Sequence, residues 1–120
     1  MSGTTTLDLP RLPGAAGIAR LIVSAHGAGL SSERLKSANL LVSELVTNAC
    51  KHGSGRISLT VNSTGEGISA EVRDEGVNAR IAVADPRPAR GGWGLYFVDR
   101  LADEWGVEAD EARIWFRVAA

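Results

Sequence analysis

The 120-residue chain contains one cysteine, two histidines and few aromatic residues, and its net charge is close to zero. Each shortage closes off a class of protein. With Cys50 alone, no intramolecular disulfide can form, which fits a reducing compartment and a thiol that packs as a small hydrophobe. His26, His52 and that single cysteine are too few soft ligands for a structural zinc site. A formal charge of −1 supplies no general attraction to nucleic acid or to an anionic membrane. No apolar run approaches the roughly 20 residues of a membrane span. The opening residues, MSGTTTLDLPRLPG, lack the basic start and apolar stretch of a secretory leader. These absences lead to the expectation of a cytoplasmic protein with no membrane and no direct nucleic-acid contact.

Hydrophobic residues make up 44% of the chain, enough for one core, and the length suits a single domain over 1–120. Thr4 to Leu9 reads as an opening strand, closed by Pro10 and Pro13. From Ala15 to Ala28 the residues Ile18, Leu21, Ile22 and Ala25 recur at helical spacing, and Gly27 and Gly29 supply a stop. Ser31 or Ser32 caps a second helix that runs to about His52, with Leu35, Ala38, Leu41, Val42, Leu45, Val46 and Ala49 on its apolar side. His26, near a helix end, is expected at the surface.

Arg56 to Asn62 and Ile68 to Arg73 alternate apolar and polar residues, with Ser63 to Gly67 as a hairpin turn between them. Val77 to Gly92, with two prolines and a double glycine, reads as a long loop. A further helix starts near Gly94. Glu104 to Ala109 and Arg113 to Val118 form a closing hairpin. Trp105 and Trp115 read as core or rim residues. The order of elements predicts a two-layer α/β domain.

Three segments fit a purely structural reading poorly. Glu44 and Asn48 are four apart, so they share one helical face, and Lys51 and His52 extend that stripe. A carboxylate and an amide so placed can hold a magnesium ion while polyphosphate oxygens complete its shell. The same stripe also fits a solvated helix face. Asp74, at a strand end and followed by Glu75 and Gly76, can accept a hydrogen bond from an exocyclic amine while glycine lets a flat ring approach. An ordinary turn, with Asp74 capping its own backbone, fits equally. Gly91-Gly92-Trp93-Gly94-Leu95 before a helix can turn backbone amides toward an anion, or serve as a hinge. It is not the Walker pattern, which needs a lysine and a hydroxyl residue after the glycines.

In this order and spacing the chain resembles the ATP-binding domains of the histidine-kinase-like superfamily, over roughly Leu7 to Val118. Glu44 to Ala49 is similar to the family's N-box, Asp74 to Gly76 to its first glycine box, and Gly92 to Leu95 to its second. Asn78 stands where the first glycine box often has its last glycine. Leu41-Val42-Ser43-Glu44-Leu45-Val46-Thr47-Asn48-Ala49 with His52 is most similar to the small bacterial anti-sigma-factor serine kinases. So is Gly94-Leu95 followed by Val98-Asp99, Leu101-Ala102-Asp103 and Trp105-Gly106.

The resemblance implies a Bergerat-type fold: a two-layer α/β sandwich whose mixed, mostly antiparallel sheet carries helices on one face. It implies ATP and Mg2+ as ligands, with Asn48 on the metal. Asp74 and Gly76 would meet the adenine, and Gly92, Gly94, Leu95 and His52 the phosphates. Glu44 would be the general base toward a serine or threonine of a partner protein, and Arg87 or Arg90 can reach the γ-phosphate. The implied partners are a sigma factor and an antagonist protein, and part of the first helix's apolar face can form a homodimer interface. An ATP-dependent interaction module without kinase activity is the alternative.

Overall fold

Five strands and two long helices are present in the computed structural model, which describes residues 2–76, 98–108 and 111–120. In chain order they are β1 (Gly3–Leu9), α1 (Ala15–His26), α2 (Ser32–His52), β2 (Ile57–Thr64), β3 (Gly67–Arg73), β4 (Glu104–Glu108) and β5 (Arg113–Ala119). A helical turn at 98–101 precedes β4. The expected two-layer α/β architecture is the one that forms. The sheet order is β1-β2-β3-β5-β4, and every neighbouring pair is antiparallel.

The register explains why the alternation reads so cleanly. One row across the inner face runs Leu7, Leu59, Val72, Ile114, Val107, and the next runs Thr5, Val61, Ala70, Phe116, Trp105. Their outward neighbours, such as Thr60, Glu71 and Trp115, form the other face. That outer face is polar, with Arg113 on Glu71 at 3.0 Å and Arg73 on Glu111 at 2.9 Å. Such exposed pairs keep the face soluble and add little stability.

Both helices lie on the inner face, α1 against β1 and β2, α2 against β3 and β5. Ser31 caps α2 as expected, its Oγ accepting the Arg34 N–H at 3.2 Å. The stripe Ala38, Leu41, Val42, Leu45, Val46, Ala49 is buried, and Ala15, Ala19 and Val23 do the same for α1. No helix among the described residues is long and apolar enough to cross a membrane.

Three expectations need correction. The buried side of α1 is Ala15, Ala19 and Val23, while Ile18, Leu21 and Ala25 of the expected apolar set are exposed and Ile22 is half-buried. The β2–β3 hairpin continues to the pair Thr64↔Gly67, so Ser63 and Thr64 are strand and only Gly65 and Glu66 turn. Ser63 faces inward and is buried, and what makes that tolerable is His26, whose Nδ1 lies 2.8 Å from its Oγ. His26 is therefore not a surface residue. Half-buried, it also meets Thr5 Oγ1 through Nε2 at 2.7 Å, tying the end of α1 to both β1 and β2.

Asp103, between the 98–101 turn and β4, accepts the Ala119 N–H at 2.7 Å and Arg34 at 3.0 Å. The Ala119 N–H does most to hold its carboxyl below the ordinary value of 3.8; partial desolvation works against it, and Arg34 and Arg117 reinforce it. A carboxyl with a lowered native pKa stabilises the fold above its unfolded value, and that contribution is lost as pH falls through the native one. Asp103→Asn should therefore lower the melting temperature at pH 7, with the gap to wild type closing as pH falls through 3.8 and below. In the core, Phe116→Ala should cost about 3–5 kcal/mol in urea unfolding followed by tryptophan fluorescence. Leu21→Ala, at a side chain 71% exposed, should stay within about 0.5 kcal/mol.

Candidate functional site

Helix α2 has two flanks beside its buried stripe, and they are differently used. One faces α1: Asn39 Nδ2 donates to Ser24 Oγ at 3.3 Å, and Ser43 Oγ receives Arg20 at 2.8 Å. At 100° per residue, Glu44, Asn48 and His52 fall on the opposite flank. Arg34 shares that flank and reaches Asp103 just before β4, which fixes its direction. The Glu44–Asn48 stripe therefore points away from α1, toward the β5–β4 side of the helical layer. Glu44 and Asn48 are half-buried there, one turn apart, and His52 is exposed one turn further on. Half-burial beside an apolar stripe is where a carboxylate and an amide keep their lone pairs accessible without full solvation.

The end of α2 then meets the end of β3. Gly53 closes the helix, its N–H donating to Ala49 O at 3.0 Å. Asp74, just past β3, donates its N–H to Ala112 O at 3.1 Å and lays its carboxylate directly over Gly53. A Cβ on Gly53 would lie 2.1 Å from Asp74 Oδ2 and 2.6 Å from its Cγ, so only glycine fits beneath. Glu75 N–H donates to Ser54 O at 2.9 Å, and Glu75 Oε1 accepts the Arg56 N–H at 2.6 Å. Gly55, at φ +69°, is in the left-handed region, and a Cβ there would strike Glu75. Residues 53–56 thus form a shelf on which Asp74-Glu75-Gly76 rests.

Gly76 N–H donates to Asp74 Oδ1 at 2.7 Å. The self-capping turn read from the sequence is present, yet a carboxylate has lone pairs beyond the one so used. Asn48 lies five residues before Gly53, about 7.5 Å along the axis at 1.5 Å per residue. Glu44, Asn48 and His52 therefore form one stripe down the last turns of α2, and Asp74 lies over the end of that same helix at Gly53. Gly92, Gly94 and Leu95, with Arg87, Arg90 and Trp93, lie outside the described residues.

No group of three or more His, Cys, Asp or Glu able to hold a metal occurs among the described residues. The Glu44–Asn48 pair suits Mg2+ in a different way, since that ion takes one or two protein oxygens and leaves the rest to phosphates and water. Nothing local announces the shelf: Gly53 and Gly55 read only as a helix stop. Their second role depends on a strand end remote in the chain.

The fold is thus an open antiparallel sheet with helices on one face, a polar stripe on α2, and the end of that helix packed against the end of β3. The chain matches the model of the histidine kinase-like ATPase domain over residues 9–118, and it belongs to that family. Among solved structures it is similar to the crystal structure of the RsbU and RsbW domains of Rv1364c from Mycobacterium tuberculosis, at 20% identity and a TM-score of 0.68. That match covers 98% of this chain and 31% of the other, so this chain spans under a third of the larger protein. None of the curated proteins compared with the chain matches it.

The shelf makes a direct prediction. Gly53→Ala should lower stability by about 1–3 kcal/mol, as overpacking does. The added Cβ would press on the Asp74 carboxylate and, at 2.7 Å, on Ala49 O. Removing the carboxylate relieves the first of these, so Gly53→Ala combined with Asp74→Ala should lose less than the sum of the single losses. A coupling of about 0.5–3 kcal/mol in denaturant titrations is expected; strict additivity would mean that the two residues do not press on each other.

Proposed function

We propose that this chain is an ATP-binding regulator that acts as an anti-sigma-factor serine/threonine kinase in the cytoplasm, with residues 1–120 working as one domain. The observation that carries this reading is the Glu44–Asn48 stripe on α2 together with the Asp74 carboxylate packed over Gly53 at the end of the same helix. Family membership supports the ATP-binding half. The sequence likeness to anti-sigma-factor kinases around Glu44–Asn48 and Val98–Gly106 supports the regulatory half. So does the fold shared with the structure of RsbU and RsbW domains.

In this reading Asp74 accepts the exocyclic amine of adenine, with Gly76 leaving room for the ring. Asn48 offers its side-chain oxygen to Mg2+, which supplies charge neutralisation between the phosphates. His52 and the backbone amides of Gly92 and Gly94, with Leu95 beside them, meet the phosphates. Glu44 orients the hydroxyl of a serine or threonine on the antagonist protein. The hydroxyl oxygen attacks the γ-phosphorus, its proton passes to the Glu44 carboxylate, and the bond to the ADP oxygen breaks. Such transfer depends mainly on positioning and charge stabilisation, which a lean site can supply. The sigma factor is the protein held and released.

Calorimetric titration of Mg·ATP into wild type and Asn48→Ala tests the first half: wild type binds, and Asn48→Ala loses about tenfold or more, roughly 1.4 kcal/mol. Transfer from labelled ATP to an antagonist protein tests the second. Glu44→Ala should bind ATP nearly as wild type does and lose about 10²–10⁴ in transfer rate, the usual worth of a general base. Binding by wild type with no transfer to any antagonist would leave an ATP-dependent interaction module. No binding by wild type would remove the nucleotide reading altogether.

A further inference from the structure

The shelf under Asp74 is itself held from behind, by a residue of the β1–α1 connection. Arg11 Nη1 donates to Ala49 O at 2.6 Å and to Cys50 O at 3.1 Å. Its Nη2 and Nε donate to Gly55 O at 2.9 Å and 3.2 Å. Carbonyls at a helix end keep lone pairs to spare: Ala49 O, which already takes the Gly53 N–H, receives a second donor from the guanidinium, and Cys50 O receives one too. The guanidinium does more than cap, because its other edge grips Gly55 beyond the turn. The rigid planar fork therefore fixes the spacing between the end of α2 and the start of β2.

We infer that Arg11 is a positioning residue for adenine recognition, acting through residues 49–55 on Asp74. The inference rests on the ATP reading above. The chain of contacts is continuous. Arg11 sets Ala49, Cys50 and Gly55; between them lie Gly53, against which the Asp74 carboxylate is packed, and Ser54, whose carbonyl takes the Glu75 N–H. Arg11 itself makes no hydrogen bond to Asp74, so its effect passes through the backbone of the shelf. A lysine in its place carries the charge that the helix end favours. Its three donors sit on one nitrogen, though, and do not reproduce the fork whose separate nitrogens reach both sides of the turn.

A residue that only stabilised the fold would change affinity for all nucleotides together. A residue that aims Asp74 changes the choice between them, because adenine presents an amine to that carboxylate where guanine presents a carbonyl oxygen. The ratio of ATP to GTP affinity is therefore the quantity to measure, by calorimetry on wild type, Arg11→Met, Arg11→Lys and Val23→Ala. Val23 is fully buried on α1 and away from the shelf, so Val23→Ala serves as a destabilised control.

Arg11→Met is expected to lower the ATP/GTP ratio about tenfold, near 1.4 kcal/mol of selectivity, with Arg11→Lys recovering thermal stability more than selectivity. Val23→Ala should leave the ratio as in wild type. Without nucleotide, Arg11→Met should also speed hydrogen exchange at the Glu75 and Gly76 amides, which the shelf and Asp74 protect. If Arg11→Met does not fold, Arg11→Lys carries the same comparison. Wild type that selects ATP, with an Arg11 variant that selects it equally, overturns this role alone. Wild type that binds no ATP overturns the functional reading and this role with it.

Discussion

The packing of the Asp74 carboxylate against Gly53 is the contact on which the rest of the site depends. It joins the C-terminal end of a long helix to the end of a central strand at van der Waals distance, with no side chain between them. Everything polar in the candidate site is referred to that junction. Asn48 and Glu44 lie at fixed rises along α2, and Gly76 follows Asp74 by two residues. A helix buried along a single stripe cannot slide or rotate without exposing Leu41, Val42 and Leu45, all at most 1% accessible. The apolar core therefore sets the direction of the polar flank, and the glycine sets its distance from the strand.

The two ends of the helical layer are tied in different ways. At the α1 C-terminus, the His26 ring bridges Thr5 and Ser63, so an inward-facing hydroxyl in β2 is satisfied by a side chain rather than by backbone. At the α2 C-terminus the guanidinium of Arg11 takes backbone carbonyls from both sides of a turn. The first arrangement holds helix to sheet. The second holds helix to loop, and that loop is the shelf. These two ties sit at opposite ends of the helical layer, and only the second lies beneath candidate site residues.

Much of this was legible in the sequence, for reasons that are local. The α2 stripe announces itself through a 3.6-residue period with a serine cap, and β2, β3 and β5 through alternation, because each has one face on the core. Glu44, Asn48 and Asp74 could be picked out because their spacing and order match a known constellation. The expected hairpin turn is three residues too long, since Ser63, Thr64 and Gly67 are strand: serine, threonine and glycine are turn formers by composition, while Ser63 is kept in the strand by His26, remote in sequence. The shelf and Arg11 were not legible at all. A glycine that ends a helix looks the same whether or not a carboxylate is packed on it. An arginine between two prolines looks like a solvated loop residue until its carbonyl partners, some forty positions away, are in place.

The turn at Asp74 also shows why the structural and the functional readings of that residue need not compete. The Gly76 N–H engages Oδ1, which is the ordinary business of an aspartate at a strand end. The same bond stops rotation about the carboxylate and leaves Oδ2 turned onto the bare surface of Gly53. A carboxylate free to rotate would lose entropy on meeting an amine, whereas one already fixed by its own backbone loses less. In the proposed function self-capping would ready Asp74 for recognition, and the two glycines have separate parts in it: Gly76 brings its N–H back to Oδ1 beside Ser54, and Gly53 leaves Oδ2 a place to lie.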